Sequence, residues 1–225
     1  NDNSVIIEPT SGNTGISLAS VCAARGYRLI LTMPESMSDE RKKMLLLLGA
    51  ELVLTPSSEG MKGSINKANE LHDKISNSII LQQFSNPSNP SIHYNTTGKE
   101  IWFDSCGKID ALVSGVGNEE NLTGETKFLK KKNPEIRIIA VEPEDSAVLS
   151  GGGAGAHMIQ GIGAGFIPKN LSEKFIDEII SINNGFVCNE NKIIYNNIAK
   201  LYLIYYEKNY NIFYYNKFIQ YYNEL

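Results

Sequence analysis

The sequence predicts an α/β fold built on a parallel sheet, and three observations support this class. Between residues 5 and 182, short apolar segments alternate with longer segments of amphipathic helical pattern. The connections between the apolar segments are long enough for a helical crossover, which parallel strands require. The apolar segments contain nearly continuous runs of Val, Ile and Leu, as strands do when helices cover both faces of the sheet.

The first elements carry the clearest boundary signals. Residues 4–8 form a predicted strand because they contain three consecutive β-branched residues. Residues 15–25 are rich in Ala and Leu and predict a helix that stops at Gly26, the usual helix-ending residue. The apolar residues 27–33 predict a second strand, which ends before Pro34.

The remaining elements follow the same alternation. Ser38 is the expected N-cap of a helix that runs to residue 48, with acidic residues in its first turn. Further strands are predicted at residues 51–55, 79–81, 109–114 and 136–142. Further helices are predicted at residues 61–76, 91–103 and 123–132.

The composition changes near residue 184. Nine of the 11 tyrosines lie at Tyr195 or later, glycine stops after Gly185, and proline stops after Pro168. A domain that needs tight turns normally keeps glycine and proline. Residues 185–225 are therefore predicted to be a divergent Tyr/Asn/Ile/Lys-rich tail, such as a frameshift or an unspliced intron would produce. An amphipathic helix that binds a partner or a membrane is the alternative.

Charge and cysteine content narrow the function classes. The formal net charge of −4 gives no basic bias, so neither nucleic acid nor an anionic membrane is an expected partner. No apolar stretch reaches the roughly 20 residues of a membrane span. Cys22, Cys106 and Cys188 fit neither a disulfide framework nor a metal site, which favours a reducing, cytoplasmic compartment.

The turn between the first strand and the first helix is the strongest candidate for a ligand site. Its polar members offer hydroxyl, amide and backbone N–H donors, and its glycines allow close approach of a ligand. The following helix N-terminus favours an anion. This pattern predicts a cradle for a carboxylate or phosphate, and an ordinary polar turn is the alternative. The candidate residues are Thr10, Ser11, Gly12, Asn13 and Thr14.

Several motifs in order resemble the cysteine synthase (O-acetylserine sulfhydrylase) family of fold-type II pyridoxal-phosphate enzymes. The first is Pro-Thr-Ser-Gly-Asn-Thr-Gly at residues 9–15. Two later ones are Gln-Gln-Phe-Ser-Asn-Pro at 82–87 and Gln-Gly-Ile-Gly-Ala-Gly-Phe-Ile-Pro at 160–168. Further matching segments lie at residues 33–38, 48–55, 60–63 and 96–102. The resemblance covers roughly residues 5–182.

The resemblance implies a fold and a set of residue roles. It implies a three-layer, two-domain architecture, with a small domain at residues 1–86 and part of the large cofactor domain at 87–184. Thr10, Ser11, Gly12, Asn13 and Thr14 would bind the carboxylate of the amino-acid substrate, with Gln83 as a second anchor. Pyridoxal phosphate would contact Asn13, Gly117 and Gly163. The implied reaction converts O-acetylserine and sulfide to cysteine and acetate, in the cytosol or a plastid.

Three departures from the family pattern predict that this chain alone is impaired. The family's Schiff-base lysine lies in a Ser-x-Lys-Asp-Arg segment upstream of the substrate loop, and the 225 residues contain no such segment. The family's phosphate loop, Gly-Thr-Gly-Gly-Thr, is replaced after Gly117 by Asn118, Glu119, Glu120 and Asn121. The family's Gly-Ile-Ser-Ser-Gly segment is also missing. No catalytic residue is therefore assigned, and phosphate binding is expected to be lost unless both glutamates face solvent.

Two interpretations remain open at this point. The chain is a cysteine synthase family member, or it is an inactive, truncated homologue or gene-model fragment that acts at most as a binding module. A large domain without its first segment and its final elements would expose apolar faces, which predicts aggregation, dimerisation or dependence on chaperones. The family loop that docks serine acetyltransferase corresponds to the segment around His157. That segment lacks the usual Lys and Pro, so docking is not expected.

Overall fold

Parallel strands form two sheets in the part of the chain that the structure describes. The structure is a computed structural model, and it describes residues 4–10, 12–117, 121–159, 161–183 and 212–213. The chain divides into two compact units, Asn1–Asn86 and Pro87–Leu225. Each unit contains a four-stranded sheet, and the strand pairs found among the described residues are parallel. These sheets confirm the predicted fold class.

The first unit follows the predicted alternation closely. Its elements are β1 Val5–Pro9, α1 Asn13–Arg25, β2 Arg28–Pro34, α2 Asp39–Leu47, β3 Glu51–Thr55, α3 Gly60–Lys74 and β4 Ser78–Ile80. The sheet order is β3-β2-β1-β4, so that β1 is an inner strand. In β1, Glu8 is paired with Leu31 of β2.

Helices cover both faces of this sheet, because side chains alternate along each strand. In β2, Leu31 packs with Leu45 of α2 on one face. The next residue back, Ile30, packs with Ala68 of α3 on the opposite face. The result is the three-layer arrangement that nearly continuous apolar strands predict.

The second unit is also built on a four-stranded parallel sheet. Its elements are α4 Ser88–Asn95, α5 Thr97–Asp104, β5 Ala111–Gly115, α6 Asn121–Lys132, β6 Arg137–Pro143, β7 Glu178–Ile182 and β8 Ile212–Phe213. The sheet order is β7-β6-β5-β8. Strand β8 falls within the predicted tail and pairs with Ala111 and Leu112 of β5. The other residues of the tail, 185–211 and 214–225, lie outside the described residues.

For this unit one sequence prediction was wrong and one strand was missed. The helix predicted at residues 91–103 is two helices, α4 and α5, which meet at Thr96 with φ −121° and ψ −81°. The Thr96 hydroxyl donates a hydrogen bond to the carbonyl oxygen of Ile92 (2.7 Å), a local bond that competes with continued helix. Strand β7 was not predicted. It pairs with β6 from Ile139 to Pro143.

Helices α4 and α6 approach each other closely at Gly124. A Cβ atom on Gly124 would lie 2.1 Å from the carbonyl oxygen of Pro90 and 2.8 Å from the amide nitrogen of Tyr94. Both are backbone atoms of the α4 region, so neither can rotate away. Gly124 therefore sets the distance between the two helices.

Among the described residues, no helix combines the length and the apolar character that crossing a bilayer requires.

Candidate functional site

The loop that links β1 to α1 is held by a short series of hydrogen bonds. Thr10 is buried, and its backbone N–H donates to the carbonyl oxygen of Thr32 at the end of β2 (3.0 Å). Its hydroxyl oxygen accepts a bond from the backbone N–H of Gly12 (3.4 Å). Ser11, between them, lies outside the described residues.

Helix α1 begins directly after this loop without a side-chain cap. Gly12 occupies the N-cap position in an extended conformation, and no side chain bonds to the first turn there. The first N–H groups of a helix have no partner within the helix and together with its dipole favour an anion. No acidic residue lies in the first turn of α1 to oppose one. Asn13 is exposed and Thr14 half-buried at this end.

Gly15 allows this helix to lie against the sheet. A Cβ atom at this position would be 2.8 Å from Cγ2 of Thr10 and 3.4 Å from Cδ1 of Leu31. The glycine therefore brings the first turn of α1 close to the buried end of the loop.

The structure brings Gln83 to the same loop, although it follows Pro9 by 74 positions. Its carboxamide Nε2 donates to the carbonyl oxygen of Pro9 (2.6 Å). Gln83 is only 7% exposed. The side chain of Gln83 thus contacts the residue directly before Thr10. Both Thr10 and Gln83 were predicted from the sequence to bind a carboxylate.

The residue that sequence reasoning missed is Glu8. Its side chain is fully buried, and its two carboxylate oxygens accept the backbone N–H groups of Gln82 (2.9 Å) and Gln83 (2.8 Å). Burial raises the pKa of this carboxyl group, although the N–H groups of Gln83, Gln82 and Leu81 act in the opposite direction. A signal was present in the sequence. A carboxylate inside an apolar strand is rarely buried without partners.

In the second unit, the structure places Gly117 and Gly163 close to each other. Gly117 forms a β-bridge with Ile162, and the N–H of Gly163 donates to the carbonyl oxygen of Val116 (2.9 Å). A Cβ atom on Gly117 would lie 2.0 Å from the carbonyl oxygen of Gly161. On the side where a Cβ atom would lie, the space beside Gly117 is therefore filled by backbone.

His157 also contacts Gly163. Its Nε2 lies 2.8 Å from the carbonyl oxygen of Gly163. Gly163 has φ +70°, and a Cβ atom there would come within 2.6 Å of this nitrogen. In this structure the histidine is part of the packing around Gly163.

By the family resemblance, the segment that follows Gly117 would hold the phosphate group of the expected pyridoxal phosphate. A cavity beside Gly117 and Gly163 has a volume of about 10 Å³, enough for one water molecule. The segment between Gly117 and α6 would have to supply N–H donors to a dianion, yet it carries Glu119 and Glu120. Asn118, Glu119 and Glu120, and the side chain of Asn121, lie outside the described residues. Among the described residues, no His, Cys, Asp and Glu group of three or more could hold a metal ion.

Comparison with known proteins adds a family match. A family model described as "Pyridoxal-phosphate dependent enzyme" matches residues 1–195. Cysteine synthase A from Salmonella typhi is 54% identical over 188 residues, which cover 80% of this chain and 58% of that protein. The chain thus spans less than two thirds of the length of the curated relatives it matches.

Solved structures show the same likeness. Cysteine synthase from Entamoeba histolytica superposes with a TM-score of 0.74 at 45% identity, covering 81% of this chain and 54% of that one. An O-acetylserine dependent cystathionine beta-synthase from Helicobacter pylori gives a TM-score of 0.76 at 40% identity, covering 83% and 61%.

Proposed function

Because this chain belongs to the family of pyridoxal-phosphate dependent enzymes, we propose that its protein acts in cysteine biosynthesis, where O-acetylserine and sulfide become cysteine and acetate. Pyridoxal phosphate is the cofactor of the family and supplies an electron sink. The likeness to cysteine synthases supports this reaction.

The observation that carries the proposal is the meeting of Thr10, Gln83 and the N-terminus of α1. In the proposed site, the helix N–H groups and the Gln83 carboxamide bind the carboxylate of the amino-acid substrate. Thr10, Ser11, Asn13 and Thr14 complete the donor set, and Asn13 also faces the cofactor. The chain's own contribution is to bind and orient the substrate by its carboxylate.

We further propose that the 225 residues by themselves do not complete this reaction. Glu119 and Glu120 would repel the cofactor's phosphate, since a like charge at ~4 Å costs about 1 kcal/mol in water and about 4 kcal/mol at an effective dielectric constant of 20. The alternative function, a binding module that holds a carboxylate without turnover, is favoured by the same two glutamates.

Gln83→Met tests the carboxylate site. The substitution removes the carboxamide donors and keeps the length of the side chain, so we expect O-acetyl-L-serine to bind about tenfold more weakly or worse, because hydrogen bonds to charged groups are the stronger ones. Calorimetric titration measures the affinity. Gln82→Met is the matched control, because Gln82 is the exposed neighbour. O-acetyl-L-serinamide, in which an amide replaces the carboxylate, should bind to neither variant. Equal affinity of the two variants for O-acetylserine contradicts the assignment of Gln83.

Restoring the family's phosphate loop tests the second proposal. The variant with Asn118→Thr, Glu119→Gly, Glu120→Gly and Asn121→Thr loses two negative charges and gains backbone freedom. We expect its affinity for pyridoxal phosphate to rise at least about tenfold. Absorbance titration with the cofactor measures this. The double variant Asn118→Thr with Asn121→Thr keeps both charges and should remain like the unmodified chain. If all three proteins bind the cofactor equally, charge repulsion is not the cause.

A further inference from the structure

Glu8 is an unusual residue for an inner strand. It is 0% exposed and lies in β1, which has β2 on one side and β4 on the other. Burying an ionised carboxylate is costly unless hydrogen bonds satisfy it. Here both oxygens accept backbone N–H groups, one from Gln82 and one from Gln83. The carboxylate is therefore satisfied by the turn that follows β4.

That turn has a backbone conformation that needs support. Gln82 has φ +58°, in the left-handed region that residues other than glycine seldom adopt. The turn closes with the N–H groups of Ser85 and Asn86, which both donate to the carbonyl oxygen of Gln82 (2.9 Å each). Consecutive N–H groups around such a residue converge on one anion. The carboxylate of Glu8 occupies the position of that anion.

The same turn determines where the side chain of Gln83 points. The backbone N–H of Gln83 is fixed by Glu8, and its carboxamide is fixed by the carbonyl oxygen of Pro9, the residue after Glu8. The backbone N–H and the carboxamide of Gln83 are thus both held by residues at the end of β1. Movement of the turn would displace the carboxamide from the loop that contains Thr10.

We propose that Glu8 is a positioning residue for substrate binding, which holds the Gln82–Gln83 turn so that the Gln83 carboxamide faces the carboxylate site. The proposal rests on the proposed function of Gln83. Glu8 does not itself act as a proton acceptor for the substrate, because its two oxygens bind backbone N–H groups inside the fold. Its effect on the substrate passes through Gln83.

The test compares Glu8→Gln with the unmodified chain by NMR, first without ligand. A Gln side chain has one acceptor oxygen, and its NH₂ group would face a backbone N–H. We expect the amide hydrogen of Gln82 or Gln83 to exchange at least about tenfold faster and the Gln83 carboxamide signals to shift. Calorimetry should then show O-acetyl-L-serine binding about tenfold more weakly.

Ile7→Val is the matched control for a purely structural effect. Ile7 is the fully buried neighbour of Glu8 in β1, and its shortening weakens the core without touching the turn. We expect Ile7→Val to lower the melting temperature but to leave the Gln83 carboxamide signals and the ligand affinity unchanged. If Ile7→Val produces the same changes as Glu8→Gln, the positioning role is wrong.

Two other outcomes also decide the question. Unchanged Gln82 and Gln83 signals in Glu8→Gln overturn the proposal directly. If the unmodified chain does not bind O-acetylserine, the proposed function of Gln83 fails, while the ligand-free signals still decide what Glu8 positions. Should Glu8→Gln not fold, Glu8→Asp, which retains the charge but retracts it by one methylene, should shift the same signals in the folded protein.

Discussion

Leu31→Ala is expected to lower the free energy of unfolding by about 3–5 kcal/mol. Leu31 is fully buried in the inner strand β2, where it packs with Leu45 and Ala19. Truncation removes its transfer energy and leaves a cavity that the two flanking helices cannot fill without moving. Urea unfolding, followed by circular dichroism, measures the change.

The Leu31→Ala substitution should also weaken substrate binding by the loop between β1 and α1. Cδ1 of Leu31 lies 3.4 Å from where a Cβ atom on Gly15 would be, so it supports the first turn of α1. We therefore expect O-acetylserine to bind more weakly to the Leu31→Ala protein. Leu47→Ala is the matched control, because Leu47 is 83% exposed and its truncation should change stability by no more than about 0.5 kcal/mol. Similar stabilities of the two variants would show that the core is not centred on β2.

Gly124→Ala is expected to lower the free energy of unfolding by about 2–3 kcal/mol. Helix propensity alone predicts the opposite sign, since Ala is favoured over Gly inside a helix by about 1 kcal/mol. The steric term is larger, because the new methyl group would lie 2.1 Å from the carbonyl oxygen of Pro90 and the two helices would have to separate. The sign of the change therefore decides whether packing or propensity dominates at this contact.

Thermal and urea unfolding measure this second effect, with Gly153→Ala as the control. Gly153 is exposed, and a Cβ atom there would meet nothing within 4 Å. The control should be neutral or slightly stabilising, because alanine restricts the unfolded chain. A Gly124→Ala protein as stable as the control would contradict the close approach of α4 and α6.

The sequence predicts the ends of helices and strands well where a proline or glycine terminates the element. In the structure, β2 ends at Pro34 and α1 ends directly before Gly26. The break at Thr96 was missed because a side chain bonding to Ile92 competes with the helix at one residue, which periodicity does not register. Strand β7 was missed although it is as long as β1, β3 and β5; no helical pattern precedes it, and its place in the sheet comes from pairing with β6.

The candidate site shows the same limit. Thr10 and Gln83 could be selected from their motifs, because those motifs resemble a known family. The role of Glu8 could not be predicted in this way. It depends on which backbone groups reach the end of β1 once β2, β3 and β4 have formed. The left-handed conformation of Gln82 is equally invisible in a sequence that has no glycine there.

The two sheets have one strand order, β3-β2-β1-β4 and β7-β6-β5-β8. In each, the chain builds outward from its first strand on one side and then returns to add its last strand on the other. Such a reversal is a topological switch point, where the loops leaving two neighbouring strands diverge and open a crevice at their carboxyl ends. In the first unit these loops carry Thr10 and Gln83, and in the second the loop after β5 carries Gly117. The loop after β1 and the loop after β5 thus occupy the same position in the shared strand order, although no sequence repeat links them.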